Sequence, residues 1–350
     1  MKSLRLLLIF VPIAIAIELL HGSELLLFAA AAIAIVPLAG LLGEATEVLA
    51  DKAGPRLGGL LNATLGNAAE LIITLFAIGA GQLELVKASI IGSILGNLLL
   101  VLGFSILAGG LRNGLQKFDR AHIGLDATMT ILAVIAISVP SIFNAAIEPD
   151  TTRVEELSLT TAVAMLIIYT LSIVYSLRSR TAEETPPSIK PAEQHWTTRQ
   201  ACGVLAAATV GIALMSEFLV SSVEPVTRTL GFSEFFIGII IIPIIGNVAE
   251  HIVAVQVAIK DQMDLSLSIA LGSSLQIALF VAPVLVFVSL VLGHPLTLEF
   301  NGFEMIGLTV ASVIAAFVSL DGESNWLEGA MLLAVYLIVA LAFFFLPTAM

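Results

Sequence analysis

A chain of 350 residues that is 58% hydrophobic and 12% charged, with a mean hydropathy of +1.05, excludes a water-soluble globule, because soluble chains carry roughly twice that share of charge. The formal net charge of −12 identifies no partner, since in a membrane chain the position of charges matters more than their sum. The one cysteine, Cys202, excludes an internal disulfide or a multi-thiolate metal site and reads as a small apolar filler.

Apolar runs recur at the length that a bilayer core of about 30 Å demands. Ended by charges, Gly or Pro, they predict spans at 4–20, 24–50, 56–80, 84–109, 122–146, 157–178, 200–222, 233–259, 265–291, 300–320 and 326–347. The expected fold class is an all-α polytopic membrane protein of about eleven transmembrane helices. Its units are one extra N-terminal helix (1–22), a five-helix repeat (23–178), a cytoplasmic linker (179–198) and a second five-helix repeat (199–350). Lys2 and Arg5 ahead of the first run resemble the start of a signal peptide. No small-residue cleavage pattern follows, and Glu18 and His21 close the run, so it is expected to be a retained helix. The linker is marked by Pro186-Pro187, Pro191, Glu183, Glu184 and Glu193.

Lysines and arginines orient the chain. With the N-terminus cytoplasmic, that side holds Lys2, Arg5, Lys52, Arg56, Arg112, Lys117, Arg120, Arg178, Arg180, Lys190, Arg199 and Lys260, against Lys87, Arg153 and Arg228 on the other. The C-terminus is then outside. So is the segment from Ile142 to Glu156, whose Glu148, Asp150, Glu155 and Glu156 either attract cations or merely solvate a loop.

Gly66-Asn67-Ala68-Ala69-Glu70 recurs in the second half as Gly246-Asn247-Val248-Ala249-Glu250, and Gly92-Ser93 recurs at the same interval as Gly272-Ser273. Because five is odd, the second copy enters the membrane in the opposite sense, the inverted-topology arrangement of many secondary transporters. An ionised acid in the interior of a span costs about 2.5–3.5 kcal/mol on insertion scales, so Glu70 and Glu250 at equivalent positions point to a shared midplane site. Residues three or four apart share a helical face, which predicts one polar stripe of Thr64, Asn67 and Glu70, a second of Asn247 and Glu250, and others of Ser93 with Asn97 and Ser273 with Gln276. Carboxylate, carboxamide and hydroxyl oxygens without thiolates suit a hard cation such as Ca²⁺.

Two nearby carboxylates in low dielectric are costly when ionised and empty. The pair is nearly neutral either with Ca²⁺ or with protons, which suggests exchange of one for the other. Gly58, Gly59 and Gly66, and Gly238, Pro243 and Gly246, are expected to loosen the helix before each acid or to permit close packing. Thr46-Glu47 and Ser216-Glu217 are a weaker pair, spaced more closely than the signature motifs, and open to a proton-relay or gating role or to reaching solvent at helix ends. His251, where the first copy has Leu71, either relays protons or packs in the core.

At these residues the chain resembles the cation/proton exchanger family, the Ca²⁺/H⁺ antiporter branch of the calcium/cation antiporter superfamily. The resemblance rests on Gly66 to Ile72, Gly246 to His251, Gly92-Ser93 with Asn97, Gly272 to Gln276, Ala53 to Thr64 and Asp321 to Trp326. It implies an eleven-helix exchanger in which Glu70 and Glu250 bind Ca²⁺ and protons alternately, supported by Asn67, Asn247, Ser93, Ser273 and Gln276. Val248 replaces the alanine usual in that family, and Gly96 stands where Gln276 stands in the other half, so the halves do not coordinate identically. The Pro-Glu pattern of sodium/calcium exchange is absent, which favours protons over Na⁺. Short loops and the lack of a long N-terminal tail point to a prokaryotic cell inner membrane. No cofactor and no nucleic-acid partner is expected; a homo-oligomer is left open.

Two other functions fit less well. A cation channel has no need of two inverted copies with one protonatable acid each. An intramembrane hydrolase at Gly272-Ser273-Ser274 lacks a His-Glu-x-x-His motif, and of His21, His122, His195, His251 and His294 only one lies deep in a span.

Overall fold

The computed structural model describes residues 4–146, 151–179 and 196–346. Most of the linker, together with Glu148 and Asp150, lies outside the described residues. A short 3₁₀ turn, Leu4–Ile9, leads into α1 (Phe10–Leu19). The first half then holds α2 (Glu24–Leu65), α3 (Ala68–Gly79), α4 (Leu83–Leu95), α5 (Leu102–Asn113), α6 (Arg120–Ala146) and α7 (Thr151–Ser179). The second holds α8 (Thr198–Ser221), α9 (Val223–Leu230), α10 (Glu234–Phe236), α11 (Ile242–Ile259), α12 (Met263–Gln276), α13 (Ala282–Val291), α14 (Gly302–Leu320) and α15 (Trp326–Phe344). Among the described residues nine helices are long and apolar enough to cross a membrane, and Ala68–Gly79 is a shorter apolar helix. The N-terminal helix, expected as a further span, is not among these ten, and the expected count of eleven is not reached on this criterion.

The repeat is visible in the backbone. The starts of α4 and α12 keep the interval of the signature motifs, and each helix passes through a π-helical turn, Gly96–Val101 and Ile277–Val281, before continuing as α5 and α13. A π turn admits one extra residue and re-aims the side chains beyond it, and such turns gather at functional sites.

Contacts between loops show that the halves run in opposite senses. On one face, β1 (Gln116–Lys117) pairs antiparallel with β2 (Glu323–Ser324). There Gln116 Nε2 donates to Ala258 O and Asp261 Oδ1, at 3.0 and 2.8 Å, and Lys52 Nζ donates to Trp196 O at 2.6 Å. On the other face, Gln82 Nε2 donates to Val220 O at 3.2 Å and Ser222 Oγ to Glu24 Oε2 at 3.1 Å. The non-helical stretch before α14 is tucked into the same face, where Ser158 and Ser141 hydroxyls accept the N–H groups of Leu298 and Phe300. Such irregular backbone is tolerated at depth only when its polar groups are satisfied by protein. Thus α3 runs from the first face to the second and α11 from the second to the first.

Two expectations need correction. The helix carrying Glu70 is not continuous from 56 to 80. Gly54 (φ 82, ψ 172) breaks α2, and the chain turns again at Gly66-Asn67, with Asn67 at φ −101, ψ 29, before α3 begins. In the second copy the loosening lies further upstream, as a π turn at Ile237–Ile241, and α11 runs unbroken through Gly246 with Pro243 in its first turn. The proline falls just past the π turn inside one continuous helical span, Glu234–Ile259, where it leaves one backbone hydrogen bond of the ladder unmade.

Helices cross most closely at glycines, which let backbones approach where lipid offers no hydrophobic drive. A Cβ on Gly329 of α15 would meet Leu107 N and come within 2.7 Å of Gly103 O on α5. Gly329→Val is therefore expected to destabilise the protein by about 1–3 kcal/mol, the usual range for overpacking. Thermal unfolding in detergent checks this, with Gly124→Ala, whose Cβ would meet no described atom within 4 Å, as the neutral control.

Candidate functional site

Each acid is delivered by one half into the other. Glu70 lies in the first turn of α3, 4% exposed, and its Cγ and Oε1 sit 3.2 and 3.3 Å from where a Cβ on Gly246 would be. Glu250, half-buried on α11, has Oε1 3.7 Å from the equivalent position on Gly66. The two signature glycines thus make room for the carboxylates of the opposite copy.

Neutral polar groups bind this crossing together. Asn67 Nδ2 donates to Gln276 Oε1 at 2.8 Å, Ser273 Oγ donates to Asn67 Oδ1 at 3.0 Å, and Asn97 Nδ2 donates to Ser273 Oγ at 2.9 Å. On the other side Asn247 Nδ2 donates to Ser93 Oγ at 3.3 Å and to Pro243 O at 3.1 Å. All but the last of these bonds join one half of the chain to the other. Glu70, Glu250, Asn67, Asn247, Ser93, Ser273 and Gln276, all expected from the sequence, therefore lie in one constellation.

Thr64 does not continue a helical stripe to Asn67 and Glu70, because the turn at Gly66-Asn67 intervenes. Glu47 is half-buried and Glu217 exposed, and among the described residues no hydrogen bond joins either to the network. Their partners Thr46 and Ser216 are the buried members, with Thr46 Oγ1 donating to Leu42 O at 2.9 Å. His251 is half-buried with Nε2 unpartnered. Asn97, placed by the sequence on the Ser93 face but without a polar counterpart in the second copy, is a member of the network that repeat matching passes over.

The donor set has vacant valences. Glu70 Oε1 and Asn247 Oδ1 are buried with no hydrogen-bond partner. Orphaned buried oxygens are costly, and a bound cation satisfies them. No cluster of three or more His, Cys, Asp or Glu side chains is gathered among the described residues. A divalent ion here would draw on two carboxylates and neutral oxygens, the ligand chemistry of a hard cation. The halves differ beside the asparagines: Gln276 covers Asn67, whereas its repeat counterpart, Gly96, supplies no side chain.

Two antiparallel copies of one helical unit, each presenting a carboxylate at a common crossing, define an inverted-repeat membrane transporter. Residues 23–178 and 201–345 match the sodium/calcium exchanger protein family, and the chain belongs to it. It is 46% identical to the Ca²⁺/H⁺ antiporter of Synechocystis sp. over 99% of this chain and 98% of that one. It is 41% identical to the Ca²⁺/H⁺ antiporter ChaA of Bacillus subtilis over 96% of this chain and 97% of the relative. Among solved structures, native YfkE superposes with a TM-score of 0.87 at 38% identity, covering 98% of this chain and 99% of that chain. The H⁺/Ca²⁺ exchanger CAX shares the fold, with a TM-score of 0.75 at 16% identity over 98% and 91% of the two chains.

The glycine that faces Glu70 is the most direct handle on the site. Gly246→Ala places a methyl 3.2 Å from Glu70 Cγ and forces that side chain to give by a few tenths of an ångström. Divalent-cation affinity of the purified protein is expected to fall by about tenfold, equivalent to about 1.4 kcal/mol. Gly79→Ala, where no described atom beyond its chain neighbours and own helix backbone lies within 4 Å, is expected to leave it unchanged.

Proposed function

We propose that this protein exchanges Ca²⁺ for protons across a membrane by alternating access, with Glu70 and Glu250 holding the cation or protons in turn. The observation that carries this is the pair of acids from opposite repeats at one crossing, with Glu70 Oε1 and Asn247 Oδ1 buried and unpartnered. Relatives named as Ca²⁺/H⁺ antiporters at 41–46% identity over nearly the whole chain supply the ions.

Charge balance couples the two fluxes. Two carboxylates with a divalent ion, or two protonated carboxyls, present little net charge, and either form crosses between the two access states. The ionised, empty site does not, because a buried uncompensated charge pair is costly in low dielectric. Asn67, Asn247, Ser93, Ser273 and Gln276 orient the acids and complete the oxygen shell. Twelve of the fifteen lysines and arginines fall on one side of the expected topology, which supports a cytoplasmic N-terminus and an outer C-terminus. Bacterial relatives support residence in a prokaryotic inner membrane.

The test is ⁴⁵Ca²⁺ uptake into proteoliposomes under imposed pH or Na⁺ gradients. Wild-type protein is expected to respond to the pH gradient and not to Na⁺. Glu70→Gln and Glu250→Gln are each expected to cut uptake by at least about thirtyfold, since removing one partner of a buried charge interaction costs about 2 kcal/mol or more. Uptake that ignores the pH gradient and survives either substitution would sink the proposal.

A further inference from the structure

The two repeats differ most where their glycines meet the neighbouring helix. On α4, Leu85, Ala88, Ser89 and Gly92 form one face and all are buried. The backbone of 237–243 lies directly on them. A Cβ on Gly92 would overlap Ile239 O and come 2.7 Å from Pro243 Cγ, and one on Gly238 would stand 2.8 Å from Ala88 Cβ and 3.0 Å from Leu85 O.

The equivalent face of α12, Leu265, Ser268, Ile269 and Gly272, is partly exposed at every position. Apart from its chain neighbours and its own helix backbone, no described atom lies within 4 Å of a Cβ built on Gly272. Gly58, the counterpart of Gly238, has its closest approach within α2 itself; its Cβ position abuts Ala50 O, back across the Gly54 break. One side of the site is closed by backbone-to-glycine packing, while among the described residues the symmetry-related side stands open. Glu250 follows the same asymmetry, being half-buried where Glu70 is buried. So do Asn62 and Thr64, which are exposed on the approach to Gly66.

Nothing in this conformation requires glycine at 272. The position lies inside α12 with an ordinary helical backbone and room for a methyl, and there glycine is disfavoured relative to alanine. Inverted repeats that exchange conformations give the same protein open to the opposite face. From this we infer that Gly272 is the seat onto which the segment beginning at Gly58 closes in the opposite access state, as 237–243 closes on Gly92 here. The inference rests on the alternating-access reading above.

The geometry makes Gly272→Ala a selective test, because the methyl fits this state and obstructs the other. The variant is expected to fold, as monodispersity in detergent shows, and to bind Ca²⁺ within about threefold of wild type, while Ca²⁺/H⁺ exchange falls by at least about tenfold. Conformation is read independently of transport in single-cysteine proteins carrying Asn62→Cys in a Cys202→Ser background. Their rate of modification by a polar maleimide is followed over pH and Ca²⁺. The parent is expected to become protected as its population shifts, and the same protein with Gly272→Ala to stay reactive throughout. Wild-type exchange rates in Gly272→Ala, or loss of Ca²⁺ binding together with transport, would overturn the inference. Labelling of Gly272→Ala that follows the parent also overturns it, even if Ca²⁺ is not the cargo.

Discussion

Two carboxylates from opposite halves of the chain meet in an apolar bundle with no basic partner among the described residues, and most of the architecture follows from that constraint. The acids must reach one place, so their helices cross closely, and the crossing points are glycines: Gly246 beside Glu70 and Gly66 beside Glu250. Beside the acids, amides and hydroxyls bond to one another across the crossing. Because nearly every bond in the Asn67, Gln276, Ser273, Asn97, Asn247 and Ser93 network runs between the halves, the site exists only when both are in place.

The halves are equivalent in sequence interval and unequal in conformation. Gln276 and Gly96 are a fixed difference that gives the site a polar side chain on one flank only. The closed face of α4 and the open face of α12 are a different kind of inequality, since the residues that would close the second side are present, with glycine where a close approach needs it. The π turn at Ile237–Ile241 has no counterpart in the equivalent stretch of α2, where Gly54 breaks the helix instead. Backbone irregularities on both sides of the site therefore sit in the segments that differ between the repeats, as expected of elements whose winding changes with access state.

Much of this was legible in the sequence. A charged residue in an apolar run is rare, and its recurrence at a fixed interval identified Glu70, Glu250 and the serines that follow them. Inversion followed from counting spans. The rest was hidden because periodicity states which residues share a face of one helix, not where that helix stops or what it meets. Thr64, Asn67 and Glu70 fit a single stripe by spacing, yet the chain turns at Gly66-Asn67, where a flexible residue precedes one well suited to leave the helical region. Glu217 aligned approximately with Glu47, but a packing surface decides exposure, and it buries Ser216 instead. The pairing of each acid with the other repeat's glycine is a tertiary fact that no local pattern encodes.

The ion pairs given by the described residues lie elsewhere in the chain. Arg5 meets Glu44 at 2.6 Å, Lys87 meets Glu84 at 2.8 Å, and Arg228 meets Glu224 on the short helix α9. None of these involves the site. Had a lysine or arginine been placed against Glu70 or Glu250, the pair would carry a permanent counter-ion and no cargo would be needed to neutralise it. With neutral amides and hydroxyls beside them instead, the proposed exchange draws its compensating charge from solution, as a metal ion or as protons. In the exchange proposed above, the empty ionised form is the costly one, and that cost ties one flux to the other.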